Sequence, residues 1–357
     1  MATRSAGPET VSSAQREATA AFGGGQGTNA LPWLLSPLRQ ALAMTNSHAL
    51  LVHGPAGVGH LAFGLILAQT LLCEADGATT PRPCGQCTAC QRLRQRSHPD
   101  FLLLAPFALR RELGWASDDD EDAPKGDAKP SKELRIVQVR QAIAWSQHSS
   151  GRGRGKVLLI HPADALNLQS ANALLKTLEE PPGQLRLLLT SADPERLLPT
   201  LRSRCQRLRL DLPSADDAVA WLQRQGIALS EPLLRLCGGS PLQALDWTHD
   251  GITPALVAAL PRRIAAGDAS ALAGQTVPRV VDLLLRLAHD LAAVAVGGPP
   301  RFFAADSFAA KSTLASRVDK ISAWHSVLLR TARHAEHPWQ APLLVESLVV
   351  QSRPIWA

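Results

Sequence analysis

Two short stretches carry residues whose types and spacing could do chemistry. The first is Gly54-Pro55-Ala56-Gly57-Val58-Gly59-His60-Leu61. Its glycines have the spacing of a phosphate-binding loop, G-x-x-x-x-G-K-[ST]. There, backbone amides cradle the phosphates, the Lys reaches the outer ones and the hydroxyl holds magnesium. Here His60 stands where the Lys is needed and Leu61 where the hydroxyl is needed. A mostly neutral imidazole on a short stem replaces an ammonium poorly, and leucine cannot ligate magnesium. The loop is expected to keep a tight strand-to-helix turn and to lose ATP hydrolysis. A second apolar strand should end on an acid for the metal. The candidate, Val157 to Ile160, is followed by His161. Asp164 comes three residues later, past a proline, and is expected to serve as a helix-start or turn residue.

The second stretch is Cys84-x-x-Cys87-x-x-Cys90. Thiolates at this spacing can wrap one ion, and tetrahedral zinc needs four ligands. Cys73, at the end of the helix after the glycine loop, is the expected fourth, with His98 as the fallback. Four thiolates leave no open position for water, so such a zinc would be structural. Cys205 and Cys237 lie in other contexts and are expected to be core thiols.

The elements that must position these groups are legible as patterns. An amphipathic stretch from Leu31 to Met44 precedes the apolar run Ala49 to Val52, which leads straight into the glycines. An apolar helix is predicted over His60 to Leu72. Further strand-like runs are Phe101 to Leu104, Val157 to Ile160, Leu185 to Leu189 and Cys205 to Leu210, mostly separated by helical patterns. Near-continuous apolar strands alternating with helices predict an α/β fold with a parallel sheet buried on both faces. After Asp211 the strands stop. Residues 213–253 read as a small helical unit and 254–357 as a longer helical domain, with Pro278 and Gly297-Gly298-Pro299-Pro300 marking helix boundaries. Residues 1–30 are small and polar and read as a flexible extension; an acidic insertion over about 117–132 reads as solvated.

Composition excludes several classes. The longest apolar runs fall far short of the roughly 18 residues of a membrane span. The first residues have no apolar core of a secretory signal. Six cysteines in 357 residues are too few for a disulfide scaffold, and three of them cluster, which points to metal in a reducing cytoplasm. A net charge of +6 permits nucleic-acid contact without requiring it.

The most specific string is Asn172-Ala173-Leu174-Leu175-Lys176-Thr177-Leu178-Glu179-Glu180-Pro181-Pro182. As periodicity it means only a packed helix stopped by prolines. As a string, it closely resembles the clamp-loader branch of the AAA+ proteins. Leu187 to Ser191, then Pro194 to Cys205 ending in Ser203-Arg204-Cys205, match the same branch, as does Gly239-Ser240-Pro241-Leu242. Within it the chain is most similar to the delta-prime family of bacterial DNA polymerase III, over roughly residues 31–250. The tau/gamma motor family keeps the complete loop, an acid pair on the second strand and a nucleotide-sensing Arg near the position of Leu242. All three are missing here.

The resemblance implies an AAA+ (RecA-like) domain over 31–212, a helical lid over 213–253 and a helical collar for oligomerisation over 254–357. It implies a cytoplasmic bacterial replication protein without ATPase of its own, a component of the holoenzyme that acts as DNA-directed DNA polymerase, a nucleotidyltransferase. Its partners would be tau/gamma motor subunits and a delta subunit, with the sliding clamp and primer-template DNA engaged through the assembly. ATP would not be bound productively at Gly54, Gly57, Gly59, His60 and Leu61. Arg204 would project as an arginine finger into the ATP site of a neighbour, a task suited to a planar guanidinium. Family members resemble the cysteine pattern too, with one Cys upstream of C-x-x-C-x-x-C. Two other readings compete: an active ATPase with a substituted loop, and a zinc-dependent nucleic-acid binder. The missing Lys, hydroxyl and acid weigh against the former. The lack of clustered aromatics around the cysteines weighs against the latter.

Overall fold

A computed structural model describes residues 12–22, 31–44, 47–77, 80–116, 120, 123–124, 130–308, 314–335, 337 and 339–356. The chain divides into two compact units, Met1–Leu212 and Pro213–Ala357. The first is an α/β unit of the AAA+ type. Its elements run α1 (Ser13–Phe22), α2 (Leu35–Ala43), β1 (Ala49–His53), α3 (His60–Leu72), α4 (Thr88–Arg94), β2 (Phe101–Leu104), α5 (Phe107–Glu112), α6 (Ile136–Gln147), β3 (Lys156–Ile160), α7 (Leu168–Glu179), β4 (Leu185–Ser191), α8 (Pro199–Arg202) and β5 (Gln206–Arg209).

The strands form one parallel sheet in the order β2-β3-β4-β1-β5. β1 is central and pairs Leu51 with Leu189 of β4 and with Arg207 of β5. The fully buried pattern of β3 and the near-continuous burial of β1 and β4 are what a sheet covered on both faces requires. On one face Leu51, Leu158, Ile160, Leu187 and Leu189 meet Leu174 and Leu178 of α7. On the other face α3 is buried almost all round, and it is apolar all round for that reason. Gly64 of α3 lies so close to the sheet that a Cβ would stand 2.6 Å from Leu159. β5 is an edge strand, with only Leu208 buried.

Two expectations meet the structure differently. Residues 13–22, read as part of a flexible extension, form α1. Its Ala18 and Ala21 are buried, and small side chains at this spacing let one helix settle closely on another. The rest of that extension, 1–11 and 23–30, lies outside the described residues. So does most of the acidic insertion, although Asp120 pairs with Arg110 at 3.1 Å.

The second unit is helical: α9 (Ala215–Arg224), α10 (Glu231–Leu236), α11 (Pro241–His249), α12 (Pro254–Ala265), α13 (Val277–Ala295), α14 (Val318–Arg333), α15 (Ala341–Val350) and α16 (Arg353–Trp356). Ser214, Ser240 and Thr253 cap α9, α11 and α12 by accepting backbone N–H bonds three residues on. Pro278 lies in the first turn of α13, where its missing N–H costs nothing. No helix among the described residues is long and apolar enough to cross a membrane.

Candidate functional site

The glycine loop leaves the end of β1 and turns directly into α3. Each glycine has a local reason. A Cβ on Gly54 would stand 2.2 Å from the Leu210 carbonyl oxygen, so nothing larger fits beside the end of β5. Gly57 and Gly59 adopt φ of 74° and 102°, the left-handed region that glycine enters freely. The Trp33 indole N–H donates to the Val58 carbonyl at 2.8 Å and fixes the turn from outside.

The side chains that follow do not point toward phosphate chemistry. His60 is buried, its Nε2 lacks a hydrogen-bond partner among the described residues, and Leu61 is 1% exposed. Burial, with repulsion from His53 second, lowers the His60 pKa to about 4, so it is neutral at pH 7. The amides of Leu61 and Ala62 are not idle: both donate to Glu17 Oε2 of α1, at 3.0 and 3.1 Å. At the end of β3, His161 Nδ1 lies 2.7 Å from Thr190 Oγ1, and burial brings its pKa down to about 3. Asp164 accepts from the Ser191 hydroxyl and from the Ala192 amide at 3.3 Å, tying its turn to the end of β4. Leu242, in α11, is buried.

The cysteine cluster is assembled from two segments. Cys73 terminates α3, and Cys87 caps α4 by accepting from the Cys90 amide. The ligand atoms of Cys73, Cys84, Cys87 and Cys90 all lie within 4.8 Å of one another, with 3.9 Å between Cys73 and Cys87 and 4.0 Å between Cys84 and Cys90. A tetrahedral ion with metal–sulfur bonds of about 2.3 Å sets its sulfurs about 3.8 Å apart, so the four thiols fit and could hold a metal ion. The amides of Glu74, Cys84, Cys87 and Cys90 donate to these sulfurs at 3.3–3.5 Å, which suits thiolates. Burial opposes ionisation of Cys84. The amides of Cys87 and Gln86 and the neighbouring thiols outweigh it and bring the pKa to about 7. His98 stands apart from the four: its Nδ1 accepts from the Asp100 amide at 3.1 Å. Cys205 is buried in the sheet core, its thiol pushed up to about 12 by burial, and Cys237 is buried in the second unit.

Arg204 follows the short helix α8, one turn before β5. Its side chain is 34% exposed. Nε and Nη2 bond the Glu179 carboxylate at the end of α7, and Nη1 donates to the Thr200 carbonyl at 2.8 Å. Glu179 was not singled out in the sequence, although it belongs to the same string as Lys176 and the prolines. Some of the neighbouring arginines are engaged as well: Arg202 pairs with Glu195, and Arg186 donates to the Ser47 carbonyl. Arg209 pairs with Asp211 at 2.8 Å on an exposed edge.

A family model described as DNA polymerase III, delta subunit, matches residues 34–214. The DNA polymerase III subunit delta' of Pseudomonas aeruginosa is 40% identical over 211 residues, 58% of this chain and 57% of that protein. The subunit delta' of Escherichia coli is 34% identical over 221 residues, 60% of this chain and 59% of that protein. The subunit tau of Escherichia coli is 31% identical over 213 residues, 57% of this chain and 29% of that protein. The matched region thus spans under two thirds of the length of these delta' relatives. The family-model match, residues 34–214, contains the glycine turn, the cysteine cluster and Arg204, and on that match the chain belongs to the DNA polymerase III delta-subunit family, with relatives named subunit delta'.

Proposed function

We propose that this chain is a non-hydrolysing subunit of a clamp loader, working beside tau/gamma motor subunits and a delta subunit to place a sliding clamp on primer-template DNA. One observation carries the reading. The turn that should bind nucleotide keeps its backbone, while the positions for Lys, hydroxyl and acid hold a neutral buried His60, a buried Leu61 and a half-buried, neutral His161. Without a cation for the outer phosphates or a magnesium ligand, the γ-phosphate has nothing to stabilise its charge in the transition state. The exposed Arg204 then becomes the group with a catalytic task, in a neighbour's site. Glu179 and Thr200 engage at most three of the five N–H donors of a guanidinium, which leaves donors for phosphate oxygens.

In this reading Cys73, Cys84, Cys87 and Cys90 hold a structural zinc. Bound there, the ion would pin the loop after α3 to α4 and take no part in chemistry. Residues 213–253 and 254–357 serve as lid and collar in the ring. The reading is tested by steady-state ATPase assay of the isolated chain, with and without primed DNA. Negligible turnover is expected. Robust turnover that is lost on His60→Ala would instead favour an active ATPase with a substituted loop.

A further inference from the structure

The first turn of α3 is where a working loop would hold phosphate. Helix N-termini carry unpaired amides and a positive end of the macrodipole, and phosphate satisfies both. Here a carboxylate of the chain itself is already in place. Glu17 Oε2 accepts from the Leu61 and Ala62 amides at 3.0 and 3.1 Å. The next amide, Phe63, bonds back to the Gly59 carbonyl at 2.9 Å. The helix that carries Glu17 is held independently. Ala18 and Ala21 are buried where α1 packs on α3. The Ser12 hydroxyl donates to the Glu112 carboxylate, and Gln15 Nε2 donates to the Glu112 carbonyl at 2.8 Å on α5.

We propose that α1 is an intramolecular plug: Glu17 is a resident anion that closes the phosphate cradle of this loop to nucleotide from solution. The inference rests on the reading of a non-hydrolysing subunit and adds a second barrier to it. Loss of the Lys and the hydroxyl removes the groups that hold outer phosphates. The plug takes up two of the backbone donors that remain, the amides of Leu61 and Ala62. It also supplies negative charge to a helix end that no longer receives it from a ligand. In this chain the loop is therefore closed by a carboxylate added in cis, from a segment 44 residues upstream.

The test compares the full chain with Glu17→Ala and Glu17→Gln, each checked for fold by near-UV circular dichroism, and with Thr19→Ala as a control on the exposed side of α1, which leaves the carboxylate and the contacts to α5 intact and should exchange like the parent. Hydrogen exchange over residues 60–63 is read by mass spectrometry with and without millimolar pyrophosphate. Hydrogen bonds to a charged acceptor are worth enough that Glu17→Ala should speed exchange there about tenfold or more, with Glu17→Gln in between because its amide oxygen accepts without charge. Pyrophosphate should slow exchange in Glu17→Ala and leave the parent unchanged. Exchange in Glu17→Ala equal to that of the parent overturns the plug. So does pyrophosphate protection of the parent equal to that of the variant, or a variant as indifferent to pyrophosphate as the parent, since the cradle would then have nothing to close against. The ATPase assay of the parent separates the two claims: turnover there sinks the non-hydrolysing reading, whereas unchanged amide exchange sinks only the plug.

Discussion

His60 is the residue at which the altered loop has a measurable energetic signature. A folded pKa near 4, set by burial, lies below the ordinary 6.5. Between those values the unfolded chain takes up a proton that the folded chain refuses. Stability is therefore full above pH 6.5 and falls as pH drops toward 4, by roughly 1.4 kcal/mol per pH unit for one such histidine. His161, with its pKa near 3, acts in the same direction. His60→Leu removes the His60 contribution and also a buried nitrogen that has no partner among the described residues. The variant should be as stable as the parent or slightly more so at pH 7.5, and about 1–2 kcal/mol more stable at pH 5. Urea unfolding at the two pH values checks this. A variant whose stability falls with pH as steeply as the parent's would mean that His60 is not the source.

At the scale of elements, the cysteine cluster joins the end of α3 to the segment that leads into α4. Cys73 is the residue on which α3 ends, and the other three thiols belong to the segment that becomes α4. Because four ligands come from this short module, removing the ion or one ligand should loosen the module and spare the sheet. One zinc per chain, about, is expected from elemental analysis. Cys87→Ser should lose it, with proteolysis newly focused on residues 74–90 and near-native circular dichroism. A metal-free parent that is fully folded and protease-resistant there would remove the zinc from the reading. The same elements show what was legible beforehand. β1, β3 and β4 announced themselves because burial on both faces demands unbroken apolar runs, and α3 because it is apolar all round. The glycine turn was legible because Gly54, Gly57 and Gly59 are fixed by steric contact and by φ. α1 was not. Its run of small and polar residues sits between glycine-rich and proline-containing stretches, and its amphipathic face is two alanines wide. Glu17 reaches backbone amides 44 and 45 residues away, contacts that leave no trace in side-chain types. The Arg204–Glu179 pair is not legible in the sequence for a related reason. The two residues lie 25 apart in sequence and meet only because α7 and α8 pack at one end of the sheet unit.

At the scale of the whole molecule, the chain is read as an α/β unit that gives a neighbour one side chain and a helical unit that holds the ring. That division makes Arg204 separable from both folding and assembly. Its guanidinium is 34% exposed and Glu179, its partner, is 48% exposed, so Arg204→Ala strands no buried charge. An exposed pair of this kind contributes little to stability, of order 0–1 kcal/mol. An arginine finger reaching a neighbour's γ-phosphate is a different matter, because it stabilises charge that grows in the transition state and can be worth about 10³–10⁵ in rate at that one site. The two roles therefore predict different outcomes in a complex reconstituted with motor and delta subunits. Arg204→Ala should assemble normally by size-exclusion chromatography and slow the clamp- and DNA-stimulated ATPase. The loss should be partial, since only the site facing this subunit loses its arginine. Glu179→Gln keeps the guanidinium but loosens the contact that orients it, so its defect should be in the same direction and smaller. Arg209→Ala, on the exposed edge of β5 and paired only with Asp211 among the described contacts, serves as the control and should change little. If Arg204→Ala assembles and turns over ATP like the parent, the residue is a surface partner of Glu179 and the catalytic donation falls, whatever becomes of the zinc or of the plugged loop.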